Sequence, residues 1–497
     1  MRKGCDMSKK KRAVSRRKFM GSVAGAGAGA AFVEKAGNAK NAAAQNTIIP
    51  PGALSINTSN STGMNIIVII ADSWRWDYLG ITGNTRIKTP NIDALAAEGV
   101  YFDNCYADGL PTIPARRVMH TGNSIIEGKS KWKPLENGDI TFANILGKAG
   151  FTTSFIVDTF HHFKPDMNFH KDFDSFTWIR GQEVDRYKSG PKNSVNPENH
   201  VPEHLLSDDL RTNMTQYLLN TKDRSGEEDY FCAQSCNAAE EWLAENKDND
   251  GPFMMFMDMF DPHEPWDAPP RFQKMYRDSY PFDRYLFGYG VDVDDVREED
   301  YPILRDLYSA EVSFSDHCIG KLIDRVKSLG LWDNTIIAFS SDHGTHLGEQ
   351  GCIQKQAKLL NSCIARVPLI IRHPDKSTHG KRIDALTSHM DFMPTFLEML
   401  GVKTNREFDG QNMWDLITGA KDKLRDYAVT GYGNYGSVHT EKWHYLRNVW
   451  GKEPGLGPQL YDITVDHNEE VNVIADHPDV VTGLEAIMES EFGVELG

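Results

Sequence analysis

"NTIIAFSSDHG", residues Asn334–Gly344, decides the fold. A short, unbroken apolar run gives way to two serines and then to an acid and a histidine. Apolar runs without alternation suit strands buried on both faces, as in a parallel sheet covered by helices. The pattern recurs along the chain. "NIIVII" (Asn65–Ile70) stops at Ala71-Asp72, and "FTTSFIV" (Phe151–Val157) stops at Asp158 and leads to His161. "FMMFMDMF" (Phe253–Phe260) stops at Asp261-Pro262-His263, and "RVPLIIR" (Arg366–Arg372) follows the opening stretch. Helical periodicity lies between these runs, in "TPNIDALAAEGVYF", "AAEEWLAEN", "EVSFSDHCIGKLIDRVKSLG" and "DFMPTFLEML". The expected architecture is therefore α/β, a mostly parallel sheet between helices.

The polar residues fall where such a sheet binds ligands. Asp72, His161, Asp261, His263, Asp342 and His343 stand at or just beyond the carboxyl end of an expected strand. One acid after a strand is ordinarily a cap or turn residue, but four strands ending this way are hard to ascribe to capping. Asp72, Asp342 and His343 offer hard oxygen and imidazole donors for one divalent cation. Thr112, in "GLPTIPARRVMHTG" (Gly109–Gly122), adds a hydroxyl between Pro111 and Pro114, whose rings fix φ. A cation that binds such a hydroxyl lowers its pKa and makes it a nucleophile. Arg116 supplies a fixed positive charge beside it, while Arg117 reads as solvated surface.

Beyond about Asn405 the pattern changes to antiparallel alternation and loops, expected to form a small C-terminal α+β subdomain. Residues 181–225 are polar and read as an aperiodic surface insertion. The start of the chain reads differently again. "KKKRAVSRRKFMGSVAGAGAGAAF" joins a basic stretch containing Ser15-Arg16-Arg17-Lys18-Phe19 to a weakly apolar Gly/Ala run. It resembles a twin-arginine export signal, so the protein is expected to be exported to the periplasm or secreted. The run is too weak for a stable membrane span. The expected organisation is a signal over 1–39, a linker over 40–63, a catalytic domain over 64–404 and the subdomain over 405–497.

A net charge of −16 over 497 residues argues against nucleic acid as a partner but leaves room for a locally positive anion site. Seven cysteines in so long a chain make no disulfide framework. Cys232 and Cys236 are placed to pair after export but read as structural by default. Oligomeric state is left open.

Several ordered segments share one resemblance. "NIIVIIADSWRWDYLG", "TPNIDALAAEGVYFDNCYA", "PTIPARRVMHTG", "DPHEPW", "TIIAFSSDHGTHLGEQG", "RVPLIIR" and "LYDITVDHNEEVN" resemble the sulfatase family of the alkaline phosphatase superfamily, from about Met64 to Leu496. The resemblance implies an alkaline-phosphatase-like fold and an ester hydrolase. It implies that Asp72, Asp342 and His343 bind one metal ion, that Thr112 takes the nucleophile position as a further ligand, and that Arg116 steadies it. Lys355, with Lys358 as its rival, would contact the transferred anion. His263 would serve the leaving group, and His161 would occupy the histidine position of the family's Gly-Lys-Trp-His motif. Asp261 is a candidate to orient His263. Arg180 and Glu183 are candidates for the substrate rim, and His162 and His346 for hydrogen-bonding neighbours.

The departures shape the expected reaction. Sulfatases oxidise a Cys or Ser to formylglycine; threonine carries a methyl on its β carbon and cannot yield that aldehyde. Thr112 would then act as an unmodified alcohol, as in phosphodiesterases and phosphonate hydrolases of the superfamily, through a phospho-threonine that water cleaves. Ser73 replaces one carboxylate of the usual Asp-Asp pair, and Thr159 replaces the motif's lysine. His343 stands where many sulfatases have Asn, which favours manganese or zinc over calcium. The first reading is thus a metal-dependent hydrolase of phosphate mono- or diesters or sulfate esters, small or glycan, with phosphoryl transfer placed ahead of sulfuryl transfer. The alternatives are a sulfatase working without formylglycine and an inactive anion- or glycan-binding relative.

Overall fold

The computed structural model describes residues 54–126, 131–164, 166–451 and 456–496. The expected signal lies outside these residues. The linker is tied down before its expected end, because Ile56–Asn57 pairs antiparallel with Lys403–Thr404.

Among the described residues, nine strands form the central sheet. Its order is Lys381–Ile383, Val100–Tyr106, Arg366–Arg372, Thr335–Ser340, Asn65–Ala71, Phe253–Met259, Thr152–Val157 and Ser175–Trp178, with Thr387–Ser388 also on Val100–Tyr106. The strands Thr335–Ser340, Asn65–Ala71, Phe253–Met259 and Thr152–Val157 run parallel, so their carboxyl ends share one edge. Arg366–Arg372 is antiparallel to both neighbours, a departure inside an otherwise parallel sheet.

The unbroken apolar runs are explained by a core on each face. Ile67, Ile69 and Ala71 pack into one core with the helices Phe231–Asn246 and Tyr301–Ser328, while Ile66, Val68 and Ile70 pack into the other. A strand sandwiched this way gains nothing from a polar face, so alternation disappears.

Two segments fold otherwise than their sequence suggests. "TPNIDALAAEGVYF" is not one helix: Pro90–Ala97 is helical and Val100–Tyr106 is a strand. The change comes at Gly99, where a Cβ would stand 2.8 Å from the Ile371 carbonyl oxygen. Close backbone approach, rather than periodicity, ends the helix there. The 181–225 stretch is not a surface loop throughout, since Asp208–Thr221 is a helix whose N-cap Ser207 accepts from the Leu210 amide. Its Leu210, Met214, Tyr217 and Leu218 enter the first core.

The C-terminal region forms the α+β subdomain. Strands Gln459–Asp462, Trp443–Asn448, Tyr435–His439 and Ala428–Tyr432 make a sheet in that order, backed by the helix Pro478–Phe492. Its last strand is Gly109–Leu110, parallel to Ala428–Tyr432 with Tyr432 opposite Leu110. The residues just before Thr112 are therefore held by the C-terminal sheet. Buried Glu469 strengthens the joint, accepting from Asn361 Nδ2 at 2.7 Å and the Ser362 amide at 3.0 Å and standing 2.8 Å from His444 Nδ1.

Candidate active site

Thr112 opens the helix Thr112–Thr121, with Pro111 as N-cap and Gly122, at φ 66°, closing it in the left-handed region. Pro114 falls in the first turn, where its missing N–H had no intrahelical partner to lose. The two prolines stiffen the loop without removing a helix hydrogen bond, and Thr112 stands at the positive end of the helix dipole. Arg116 lies one turn further along the same face. Its Nη1 is 3.3 Å from the Thr112 carbonyl oxygen and 3.1 Å from Asp72 Oδ2, and it also donates to Asp342 Oδ2. Arg116, Asp72, Asp342 and His343 are all fully buried.

The Asp72, Asp342 and His343 side chains each place one ligand atom within 4.8 Å of the others. This group fits a divalent cation on three counts. His343 Nδ1 is 2.9 Å from the Gly344 carbonyl oxygen, an acceptor, so Nδ1 carries the proton and Nε2 keeps its lone pair. That Nε2 is buried, has no hydrogen-bond partner, and lies 3.3 Å from Asp342 Oδ2. Burial holds the imidazole pKa down at about 4, keeping it neutral and able to ligate. Burial and the Asp342 charge push the Asp72 carboxyl well above its ordinary range. The corner is thus crowded with negative charge that a cation would relieve.

Ser73 fills the place of a second acid without supplying one. It adopts φ 63°, a costly value for a residue with a β carbon. Its amide donates to Asp342 Oδ1 at 3.0 Å and its hydroxyl to Asp72 Oδ1 at 2.8 Å, so both carboxylates are oriented through it.

The opposite side of the site is more open. Lys355 Nζ donates to His263 Nε2 at 2.7 Å and to Glu264 Oε1 at 3.0 Å. His263 Nδ1 is 2.6 Å from the Glu264 carbonyl oxygen, which fixes the proton on Nδ1 and the lone pair on Nε2. Burial, with the Lys355 charge, holds His263 well below the usual imidazole range. Desolvation pulls the Lys355 pKa down, but Glu264 and Asp72 outweigh it and the net shift is upward. His161 stands at the mouth, 22% exposed, with Nε2 3.5 Å from Glu183 Oε2 and its ring edge-on to Trp132.

Several candidates take other places. Asp261 does not orient His263; its oxygens accept from Gln182 Nε2 at 2.9 Å and the Cys232 amide at 3.2 Å. Of the two rival lysines, Lys355 meets His263, while Lys358 sits half-buried in a turn. Arg180 pairs with Asp185 and lies over Trp178, away from the rim, whereas Glu183 faces His161. His346 is a buried neighbour, with Nδ1 3.1 Å from the Gln354 carbonyl oxygen. Arg117 is tied to Asp139 and the Pro134 carbonyl. Cys232 Sγ lies 3.6 Å from Cys318 Sγ.

Asp258 escaped the sequence reading. It lies in the strand Phe253–Met259, fully buried, and takes Arg116 in a two-pronged grip: Nε to Oδ2 at 2.8 Å and Nη2 to Oδ1 at 2.7 Å. The available signal was a lone acid in "FMMFMDMF", since a buried charge demands a partner.

Residues 64–402 match the sulfatase family, and residues 348–489 match the C-terminal region of N-sulphoglucosamine sulphohydrolase. The N-acetylglucosamine-6-O-sulfatase of Bacteroides thetaiotaomicron is 26% identical over 447 residues, covering 77% of this chain and 76% of that one. The multifunctional alkaline phosphatase superfamily protein PehA of Trinickia caryophylli is 24% identical over 412 residues, covering 72% and 78%. Among solved structures, the phosphonate monoester hydrolase of Agrobacterium radiobacter aligns with TM-score 0.67 at 21% identity, covering 86% of this chain and 95% of that one. The shared architecture is the alkaline-phosphatase-like fold.

Proposed function

Since the chain belongs to the sulfatase family of sulfuric and phosphoric ester hydrolases, we propose that it is an exported hydrolase of singly charged phosphate or phosphonate esters, with Thr112 as nucleophile. The observation that carries this reading is the placing of Arg116 Nη1 against Thr112, Asp72 and Asp342 together. Through the carbonyl oxygen of Thr112 it ties the residue that carries the alcohol to a fixed cation and the candidate metal ligands in one buried corner.

A divalent cation held by Asp72, Asp342 and His343, with Thr112 completing the set, would supply a Lewis acid that lowers the pKa of a hydroxyl and offsets the charge of the ester. The residues do the rest. Thr112 Oγ1 forms a bond to phosphorus as the ester P–O bond breaks, giving up its proton to water. The leaving oxygen gains a proton from Lys355 Nζ, which the lone pair of His263 Nε2 helps to hold in place. Arg116 holds the negative charge that develops on the transferred group. Water then attacks phosphorus, the phospho-threonine bond breaks, and the Thr112 hydroxyl is restored.

Charge favours a singly charged ester. Arg116 and Lys355 are outnumbered by the buried acids Asp72, Asp342, Asp258 and Glu264, so even a divalent cation would leave little net positive charge. A doubly charged phosphomonoester would meet too little net positive charge. Sulfate esters are the second reading, favoured by the relative named for a sulfated sugar. The test is turnover of aryl phosphodiester, phosphonate monoester, phosphomonoester and sulfate ester by wild type and Thr112→Ala with added Mn2+, Zn2+ or Ca2+. Phosphodiester or phosphonate turnover lost in Thr112→Ala supports the proposal. Sulfate turnover alone, or activity that survives Thr112→Ala, refutes it. Export is tested separately: replacing Arg16 and Arg17 with Lys should leave the protein in the cytoplasmic fraction of a bacterial host.

A further inference from the structure

Asp258 interrupts an apolar strand at a position that faces the helix of Thr112. Met254 and Phe256, on the same side of the strand, belong to the core that also receives Ile113, Ala115 and Met119. Four groups from three residues converge on its two oxygens. Arg116 gives Nε and Nη2, the Thr159 hydroxyl donates to Oδ1 at 3.2 Å, and His162 Nε2 stands 3.2 Å from Oδ2. Thr159 is the residue found where the resemblance implies a lysine. Here it serves the carboxylate beneath the site.

The arrangement divides Arg116 between two sets of acids. A guanidinium is most strongly bound by a carboxylate matched to two of its N–H groups at once. Asp258 takes that match, leaving Nη1 alone to reach Asp72 and Asp342. Without Asp258, the nearest second pair of acids for the same fork is the pair that forms the candidate metal site.

Resting on the hydrolase reading above, we infer that Asp258 is a positioning residue: it restrains Arg116 so that the guanidinium faces Thr112 without displacing the cation from Asp72 and Asp342.

The test is calorimetric titration of the full chain with Mn2+ alone, beside kcat and KM. In Asp258→Asn the side chain keeps its shape, loses its charge and turns one acceptor into a donor. Its Mn2+ Kd should rise ~10–100-fold, the range seen when partners of metal ligands are removed, with kcat falling more than KM changes. In the double variant Arg116→Met/Asp258→Asn no guanidinium remains to compete, so Mn2+ affinity should return to within a few-fold of wild type while turnover stays low. Phe256→Leu loosens the same strand without touching the carboxylate and should leave Mn2+ affinity unchanged.

Unchanged affinity in Asp258→Asn overturns the inference. So does a double variant as weak as Asp258→Asn, which would reduce Asp258 to a general negative charge. If Asp258→Asn fails to fold, Thr159→Val replaces it, with a smaller loss of affinity expected and an unchanged affinity overturning the inference. A wild type that binds Mn2+ but hydrolyses no ester removes the hydrolase reading and leaves the Asp258 comparison standing. A wild type that takes up no Mn2+ removes both.

Discussion

The sealed corner and the open mouth of this site are built on opposite principles. In the corner Asp72, Arg116, Asp258, Asp342 and His343 are wholly buried, and each charge is held by another at hydrogen-bonding distance. At the mouth Lys355 and His263 are bonded to each other, His161 is partly exposed, and Trp132 at 39% exposure forms the lip. Low dielectric makes each charge in the corner worth more, and makes each unpaired one costly. Neutralising one charge of the corner leaves another buried without its partner, whereas the mouth can be altered piecemeal. On the proposed reading, bond-making belongs to the corner and leaving-group choice to the mouth.

The sharpest way to break this comparison is Thr112→Ala. If the corner makes the bond, kcat should fall by ~10⁴-fold or more, as when a nucleophile is removed from other covalent hydrolases. Thermal unfolding should shift little, because the deletion is small. A residual rate near wild type would move bond-making to water. Next comes Asp342→Asn, which removes a charged ligand and a partner of Arg116. Mn2+ affinity should fall by more than ~100-fold, beyond what partners of ligands alone contribute, as read by calorimetry. Chelation of wild type should reproduce its loss of turnover, and added Mn2+ should restore wild type but not the variant.

The corner was also the more legible of the two regions. Its candidate ligands close uninterrupted apolar runs, and a run that cannot be amphipathic announces a strand whose end lies at a ligand-binding edge. The stiffened turn that carries Thr112 was legible through the prolines that flank it. Asp258 was not, because its meaning depends on Arg116, 142 residues away in sequence. The Gly109–Leu110 strand was hidden for a related reason: two residues carry no period, and their partner is Ala428–Tyr432. The helix Asp208–Thr221 was missed although Leu210, Met214, Tyr217 and Leu218 keep helical spacing. Its polar composition masked a narrow apolar stripe.

At the mouth, Glu264→Gln tests whether Lys355 is the proton donor to the leaving group. The Glu264 carboxylate is the strongest influence raising the lysine pKa against desolvation, so the amide should lower it. The protonated form is the active one, and a lower pKa means that it is lost at lower pH. The basic limb of the kcat profile should therefore move down, with kcat at its optimum reduced ~10-fold or somewhat more, since positioned proton transfer contributes 10²–10⁴ when removed outright. An unmoved basic limb would take Lys355 out of that role and leave it as an anion contact.

Trp132→Ala should give the smallest effect, and its sign separates the two regions most cleanly. The indole meets His161 edge-on at 5.2 Å between ring centres. An aromatic contact of this kind contributes ~0.5–1.5 kcal/mol, so KM for an aryl ester should rise ~2–10-fold. Because the corner is untouched, kcat should hold, and so should Mn2+ affinity. An alkyl ester should lose less than an aryl one, since it offers no ring for the lip to meet. A fall in kcat with KM unchanged would mean that Trp132 steadies His161 during bond-making, and the division between mouth and corner would have to be redrawn through that histidine.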